Sequence, residues 1–434
     1  QSFVGRQVLE NGESVSGGGI ATSSLLYLAL PMIMGVCMRH ARMSLGLATA
    51  IFLPLVGLAI WGGQKIPFDL GQTIGVGDAT AQKIWGVLLL GYCLVAALVP
   101  MWLLLQPRGH LGGCFLYVAL AGATLGLVLS DRLVAGDGAV NYPAFTKWST
   151  KAGPVVPMLF ITIACGACSG FHSLIASGTT SKQLRRETDA RPIGYGTMLL
   201  EAMVAIVSLA CVMVLPAGDT RAAQPPNFIY ALGMGRFLEI LGIAPALGVS
   251  FALMAFTTFV YDTLDVCTRL GRYIIQELTG LAGRGGAWLG TGLTAGVPLF
   301  FLLRPQLDAD GKAVPVWKTF WGLFGASNQL LAALTLLGIT VWLWRTRREA
   351  WVWVVTGLPT LFMYVMSTWA LATMTLPKFR GASGFTVPTD PVPWAGLVLL
   401  VLAAVMLVEA VRAIAGDRGP PRSAPVRAPA GMPA

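Results

Sequence analysis

The stretch from Thr162 to Arg191 begins as an apolar segment of membrane length and then fills with small and polar residues. Its imidazole and hydroxyl groups could bind a polar solute or exchange protons, and they belong to Ser169, His172, Ser173, Ser177 and Thr179. Ionisable side chains inside a membrane span are costly and mark functional sites by default. We therefore expect a substrate or ion pathway here, with His172 facing protein or a water-filled cavity. The alternative is that these groups only satisfy one another between packed helices.

The same stretch also carries a possible metal-ligand spacing. Cys165, Cys168 and His172 form a C-x2-C-x3-H pattern, which could hold zinc or a soft transition metal. A closed zinc site takes four ligands, and no fourth is obvious. A membrane-embedded metal or redox protein is therefore the alternative from another functional class, and the main prediction is no metal and no cofactor.

Two glycines and a polar tetrapeptide predict the local shape of this stretch. Gly166 and Gly170 form a GxxxG step, which allows a neighbouring helix to approach closely. Ser177-Gly178-Thr179-Thr180 is expected to end the helix before a charged run enters water. Irregular backbone at membrane depth is tolerated where it is buried in protein or lines a cavity.

A carboxylate lies inside the next apolar segment. Glu201 follows two turns of apolar residues in GYGTMLLEAMVAIV. Burial favours the neutral form of a carboxyl group, which would let it pick up and release protons during transport. Glu201 is thus the proton-coupling candidate, with His172 as the second. The alternative is an interfacial glutamate paired with Arg191.

An acid–base pattern follows another apolar segment, in TTFVYDTLDVCTRLGRYIIQEL. Asp262 and Asp265 are three residues apart, and Arg269 is four residues after Asp265, so all three share one helix face. Asp265 and Arg269 are the predicted cytoplasmic gate. A local brace on a solvated helix extension is an equal alternative.

Two adjacent amides interrupt the apolar segment LFGASNQLLAALTLL. Amide side chains hydrogen-bond between membrane helices. The first interpretation of Asn328 and Gln329 is therefore packing, and a contact between Asn328 and substrate is the second.

Composition sets the class of protein that must position these groups. The chain has 434 residues, of which 55% are hydrophobic and 12% charged. Soluble domains carry roughly a quarter charged residues. The net charge of +10 accordingly indicates membrane topology and not nucleic-acid binding. No phosphate-binding GK[ST] loop, GxSxG elbow or HExxH pair occurs, so the sequence is not that of a familiar enzyme class.

A membrane-crossing helix needs about 20 mostly apolar residues. The hydropathy pattern predicts an all-α polytopic membrane protein with about eleven such helices between residues 20 and 414. Their expected ranges are 20–38, 44–61, 84–105, 112–130, 154–177, 195–217, 240–262, 286–303, 323–344, 351–374 and 393–414.

The distribution of lysine and arginine among the loops predicts the orientation of the chain in the membrane. The loops after the odd-numbered spans and the C-terminal segment carry 17 of the 30 basic residues, Arg108, Arg269 and Arg272 among them. The positive-inside rule then places the C-terminus in the cytoplasm. Residues 1–19 would lie outside the cytoplasm, and the Pro/Ala-rich residues 415–434 would be a disordered cytoplasmic tail. A start outside without a signal peptide is unusual, which leads us to expect missing spans upstream.

Four blocks of sequence resemble the carbon starvation protein A (CstA) family. They are LLLGYCLVAALVPMWLLLQPR, then SGFHSLIASGTTSKQL with ETDARPIGYGTMLLEAMVA, then LDVCTRLGRYIIQEL, then FGASNQLLAALTLL. The resemblance implies a bacterial inner-membrane transporter linked to carbon starvation and stress. It also implies uptake of peptides or of small carboxylates such as pyruvate, driven by protons, and a relation to the amino acid–polycation–organocation carriers. From the polar residues themselves, the expected substrate contacts are Ser169, His172, Ser173, Ser177, Thr179 and Asn328.

Overall fold

The computed structural model describes residues 2–9, 12–133, 145, 147–150, 153–163, 168–215, 219–307, 313–381 and 384–416. Fourteen helices lie in these ranges. They are α1 Gly17–His40, α2 Leu45–Gly63, α3 Leu70–Ile74, α4 Asp78–Leu98, α5 Leu105–Leu133, α6 Val155–Ile163, α7 Gly170–Gly178, α8 Ala190–Met213, α9 Pro226–Ile240, α10 Pro245–Thr279, α11 Gly283–Leu303, α12 Val316–Arg347, α13 Leu358–Thr375 and α14 Pro391–Ala415.

The strands in the described ranges form four short antiparallel hairpins between or before helices. They are β1 Arg6–Val8 with β2 Ser14–Ser16, β3 Ser149–Thr150 with β4 Gly153–Pro154, β5 Gln306–Leu307 with β6 Ala313–Val314, and β7 Arg380–Gly381 with β8 Gly384–Phe385. The predicted all-α class is confirmed.

Ten helical segments in the described ranges have the length and apolar composition needed to cross a bilayer. The predicted span 154–177 is not one of them. It is divided into α6 and α7, and residues 164–167 between them lie outside the described ranges. Ser169 has extended backbone and stands at the N-cap of α7, so residues 154–177 do not form one continuous helix. The expected end of this helix is confirmed, since α7 ends at Gly178.

The chain divides into two compact units. The first unit comprises residues 1–146 and 184–314, and therefore contains α1–α5 and α8–α11. Its helices approach closely where side chains are small. A Cβ atom built on Gly126 of α5, for example, would lie 2.0 Å from the carbonyl oxygen of Phe237 on α9. Residues of this kind permit dense packing between helices without a hydrophobic driving force.

The N-terminal hairpin packs onto the first unit. Phe3 and Val15 are buried, and the Phe3 ring meets Trp85 of α4 edge-on at 5.0 Å between centroids. Glu13 accepts a hydrogen bond from the backbone N–H of Ala246 at the start of α10. Residues 2–9 and 12–16 are thus part of the folded unit, and α1 begins at Gly17, three residues earlier than predicted.

The second unit comprises residues 147–183 and 315–434. Helices α12, α13 and α14 pack on one another, α6 packs on α13, and α7 packs on α12. Its core is apolar, with Ile161, Leu330 and Leu371 among the buried residues. Of the predicted tail, residues 417–434 lie outside the described ranges.

Helix α10 corrects the predicted span 240–262. It runs for 35 residues to Thr279 and is followed by Gly280, whose left-handed backbone (φ 68°) suits a glycine at a helix C-terminus. At 1.5 Å per residue, this is roughly 52 Å of helix. A hydropathy window ends where charges begin, but these charges are paired inside the unit, and the helix therefore continues.

Candidate functional site

A cluster of charged and phenolic groups is buried in the first unit, around the guanidinium of Arg108 near the start of α5. The Arg108 side chain is 0% exposed. Its Nε donates to Asp262 Oδ1, Nη1 donates to the Tyr92 hydroxyl, and Nη2 donates to Asp265 Oδ2 at 3.2 Å. Nη2 also lies 3.3 Å from the carbonyl oxygen of Tyr261. We call Arg108, Tyr92, Asp262 and Asp265 the Arg108 cluster.

The two carboxylates of this cluster have unequal surroundings. The Asp265 side chain is 0% exposed, whereas that of Asp262 is 26% exposed. Asp265 Oδ1 has no hydrogen-bond partner in the described part of the chain, although Arg269 Nη2 lies 4.0 Å away. Of these two carboxylates, only that of Asp262 has exposed surface.

Arg269 and Arg272 of α10 hold the C-terminal end of α4. Arg269 Nη2 donates to the carbonyl oxygens of Ala96 (2.6 Å) and Val99 (3.0 Å), and Arg272 Nη1 donates to that of Ala97 (2.8 Å). The last carbonyls of a helix lack partners within the helix and carry partial negative charge. Two cations therefore satisfy the end of α4 inside the protein.

These contacts correct two sequence interpretations. The expected brace between Asp265 and Arg269 is secondary, because Arg108 lies closer to Asp265 than Arg269 does. The alternative of a solvated helix extension is wrong, since Asp265 and Arg269 are 0% and 3% exposed. Arg108 and Arg269 were counted among loop charges, but both are buried. The excess of basic residues in the loops predicted to be cytoplasmic is accordingly smaller.

A neutral polar cluster lies in the second unit, between α7 and α12. Asn328 Oδ1 accepts from the backbone N–H of Phe171 at 2.8 Å, and Asn328 Nδ2 donates to Ser169 Oγ at 3.0 Å. One turn along α7, Ser173 accepts a hydrogen bond from Thr335 Oγ1 at 3.0 Å. We call Ser169, Ser173, Asn328 and Thr335 the Asn328 cluster.

The amide of Asn328 replaces a missing cap. Ser169 occupies the N-cap of α7 but makes no capping hydrogen bond of its own. The first backbone N–H groups of a helix need acceptors, and a side-chain oxygen usually supplies one. Here that oxygen comes from a different helix. The packing role expected for Asn328 is therefore present.

Gly170 makes the contact between these helices possible. A Cβ atom at this position would lie 2.3 Å from the carbonyl oxygen of Asn328 and 2.7 Å from the nitrogen of Ala332. The close helix approach predicted from the GxxxG step is confirmed at Gly170. Gly166 lies outside the described residues.

The remaining predicted residues differ in their burial and belong to both units. On α7, His172 and Ser177 are exposed, while Thr179 just beyond its end is buried. Glu201 is half-buried on α8 in the first unit. What the exposed His172 side chain faces stays a prediction.

The metal alternative receives no structural support. Cys165 lies outside the described residues, and Cys168 is half-buried. Within the described ranges there is no group of three or more potential ligands.

Sequence reasoning missed Arg108 and Tyr92. A signal was present, because the predicted span 112–130 begins only four residues after Arg108. Two acids three residues apart on α10 also required a basic partner, since buried charges are paired.

The fold and these clusters define a polytopic α-helical membrane protein with ion pairs buried among its spans. Within that class the family is clear. The model of the carbon starvation protein CstA family matches residues 13–229 and 219–370, and the chain belongs to that family.

Individual relatives agree with this assignment. The pyruvate/proton symporter BtsT of Escherichia coli (strain K12) is 30% identical over 431 residues, which cover 79% of this chain and 58% of that protein. The peptide transporter CstA of Bacillus subtilis (strain 168) is 28% identical, covering 89% of this chain and 69% of the relative. The peptide transporter CstA of Escherichia coli (strain K12) is 30% identical, covering 65% and 48%.

The chain spans 58% of the length of BtsT and 48% of that of the Escherichia coli CstA. No solved structure matches the chain.

Proposed function

We propose that this chain belongs to a secondary active transporter that imports peptides or small carboxylates such as pyruvate together with protons. The observation that carries the proposal is the Arg108 cluster. Three charged side chains meet there within long apolar helices, at a cost that membrane proteins accept mainly on substrate and ion pathways. The names of the relatives support the substrate classes, which are peptides and pyruvate.

The proposed substrate contacts lie on the divided helix and its neighbour. Ser169, Ser173 and Asn328 form hydrogen bonds between α7 and α12 that a polar solute could replace. His172, Ser177 and Thr179 complete the proposed set. Carriers commonly place broken helices at their binding sites, and this supports the assignment.

Glu201 is the proposed proton-coupling residue, with His172 as the second candidate. Glu201 is half-buried in α8, a candidate membrane span of which few residues are buried in the protein. A permanent charge there would be costly. Asp265 and Arg269 are the proposed gate, because Arg269 joins α10 to the end of α4 and Asp265 joins α10 to α5. We further propose a bacterial inner-membrane location with a cytoplasmic C-terminus, and a role in carbon starvation.

Uptake into proteoliposomes tests this function. The intact protein should accumulate radiolabelled pyruvate or dialanine when the interior is alkaline, and an uncoupler should abolish the accumulation. Glu201→Gln should still exchange substrate at equal concentrations on both sides, yet fail to accumulate it, because its side chain cannot release a proton. Accumulation of neither compound by the wild type would refute the function.

A matched variant separates coupling from a general loss of charge. Glu277 is exposed near the end of α10, and Glu277→Gln should accumulate substrate like the wild type. Normal accumulation by Glu201→Gln would exclude Glu201 and make His172 the coupling residue. A fall in protein abundance with coupling intact would indicate a structural role for Glu201.

A further inference from the structure

The two acidic partners of Arg108 differ in side-chain exposure, which decides whether a partner can be exchanged. Asp265 is completely enclosed, while 26% of the Asp262 side chain is exposed. An exposed carboxylate can leave its partner and be hydrated, whereas a buried one that leaves stays uncompensated at a large cost. The pair between Arg108 and Asp262 is therefore the exchangeable one.

The rest of the cluster would keep Arg108 in place during such an exchange. Its Nη atoms are held by the Tyr92 hydroxyl, Asp265 and the carbonyl oxygen of Tyr261. Only the Nε edge faces Asp262. When Asp262 leaves, the guanidinium stays oriented and offers one vacant donor edge.

Space around Asp262 is limited but is not filled by a side chain from α5. Gly112 lies opposite, and a Cβ atom there would be 3.2 Å from Asp262 Oδ2 and 3.3 Å from the Tyr27 hydroxyl. Tyr27 itself donates to the carbonyl oxygen of Arg108 at 3.3 Å. The exchangeable pair is thus closely bounded by Gly112 and the Tyr27 hydroxyl, so the space for an incoming carboxylate is the one that the Asp262 carboxylate vacates.

We propose that Asp262 is an internal competitor that occupies the carboxylate-binding edge of Arg108, and that a substrate binds by displacing it with its own carboxylate. The inference rests on the proposed function and names the substrate group that Arg108 recognises. A neutral solute cannot replace the lost ion pair, because guanidinium left without its carboxylate partner loses a charge-assisted hydrogen bond. Asp262 therefore makes a carboxylate a requirement for binding.

Binding to the purified intact protein tests the proposal with two matched pairs of probes. The carboxylates are pyruvate and dialanine, and their neutral counterparts are pyruvamide and dialanine amide. In the wild type, each carboxylate should bind at least about tenfold more tightly than its amide. Asp262→Asn removes the competing charge with little change in shape, so carboxylate affinity should rise about tenfold.

A second variant and a control keep the test decisive. Arg108→Lys retains the positive charge but not the planar fork, and carboxylate affinity should fall about tenfold. Asp219 pairs with Arg221 outside the candidate spans, so Asp219→Asn breaks a comparable pair and should leave affinity unchanged. Unchanged carboxylate affinity in Asp262→Asn, or equal affinity of the wild type for acid and amide, would overturn the proposal.

The two proposals fail differently. If the wild type accumulates pyruvate or dialanine but shows no preference for acid over amide, the competitor role is refuted and transport stands. If the wild type accumulates neither compound, the transport function is refuted, and the competitor role with it.

Discussion

The Arg108 cluster and the Asn328 cluster solve the burial of polar groups in opposite ways. In the first, a guanidinium without exposed surface binds two carboxylates and a phenol. In the second, an amide and three hydroxyls hold the N-terminus of a nine-residue helix against its neighbour. A buried charge is strongly stabilised by its partner, and removing that partner costs much free energy. For neutral hydrogen-bonding groups both effects are smaller. The comparison teaches that the first cluster is sensitive to charge and the second to fit.

The largest effect should come from Arg108→Gln. It leaves Asp262 without its cation and Asp265 with only Arg269 at 4.0 Å, which should cost about 3–5 kcal/mol of stability. Thermal unfolding in detergent and protein abundance in the membrane would both report the loss. Arg412 is 71% exposed and paired with Glu409, so Arg412→Gln should unfold like the wild type. An unfolding temperature of Arg108→Gln equal to that of the wild type would show that the cluster is not desolvated.

An intermediate effect is expected from Gly170→Ala. The new methyl group would meet the backbone of α12, which cannot move aside as a flexible side chain can, and a cost of about 1–3 kcal/mol is expected. Gly338 lies on α12 with nothing within 4 Å of a built Cβ atom, so Gly338→Ala should not destabilise the protein. Thermal unfolding of the two variants, compared side by side, measures this difference in stability. Equal stability of both would contradict the close approach at Gly170.

The smallest effect belongs to Thr335→Val. The variant keeps the branched shape and removes the hydrogen bond from Thr335 to Ser173, together with a contact to the carbonyl oxygen of Leu331 in its own helix, so about 0.5–1.5 kcal/mol should be lost. Ser173 still donates to the carbonyl oxygen of Gly170. Thr346 bonds only to its own helix in the described contacts, and Thr346→Val serves as the control in the same unfolding assay. A loss as large as that of Arg108→Gln would erase the contrast between the clusters.

Hydropathy predicted most of the helices because a bilayer demands long apolar segments whatever their neighbours are. It was less successful where tertiary contacts decide. Arg108 looked like a loop residue because its partner Asp262 is 154 positions away. The same contact explains why α10 continues past Asp262.

For the predicted site residues, too, local sequence indicates some roles while tertiary contacts decide the others. Asn328 and Gly170 could be predicted as packing residues, since amides and glycines mediate contacts between membrane helices wherever they occur. Which helix each would meet was not readable from local sequence. The roles of His172 and Glu201 stay predictions, because they depend on water, lipid and substrate around the protein.

The contacts of Arg269 and Arg272 with the end of α4 have a mechanical consequence. Three hydrogen bonds from α10 hold the last carbonyls of α4, and a few residues later Arg108 of α5 is bound to α10 again. Separating these helices means breaking several charge-assisted hydrogen bonds, at roughly 1.5–3 kcal/mol each. The stretch of α10 from Asp262 to Arg272 must then move together with the end of α4 and the start of α5, as one rigid body. Any bend in α10 that accompanies a working cycle belongs outside this stretch.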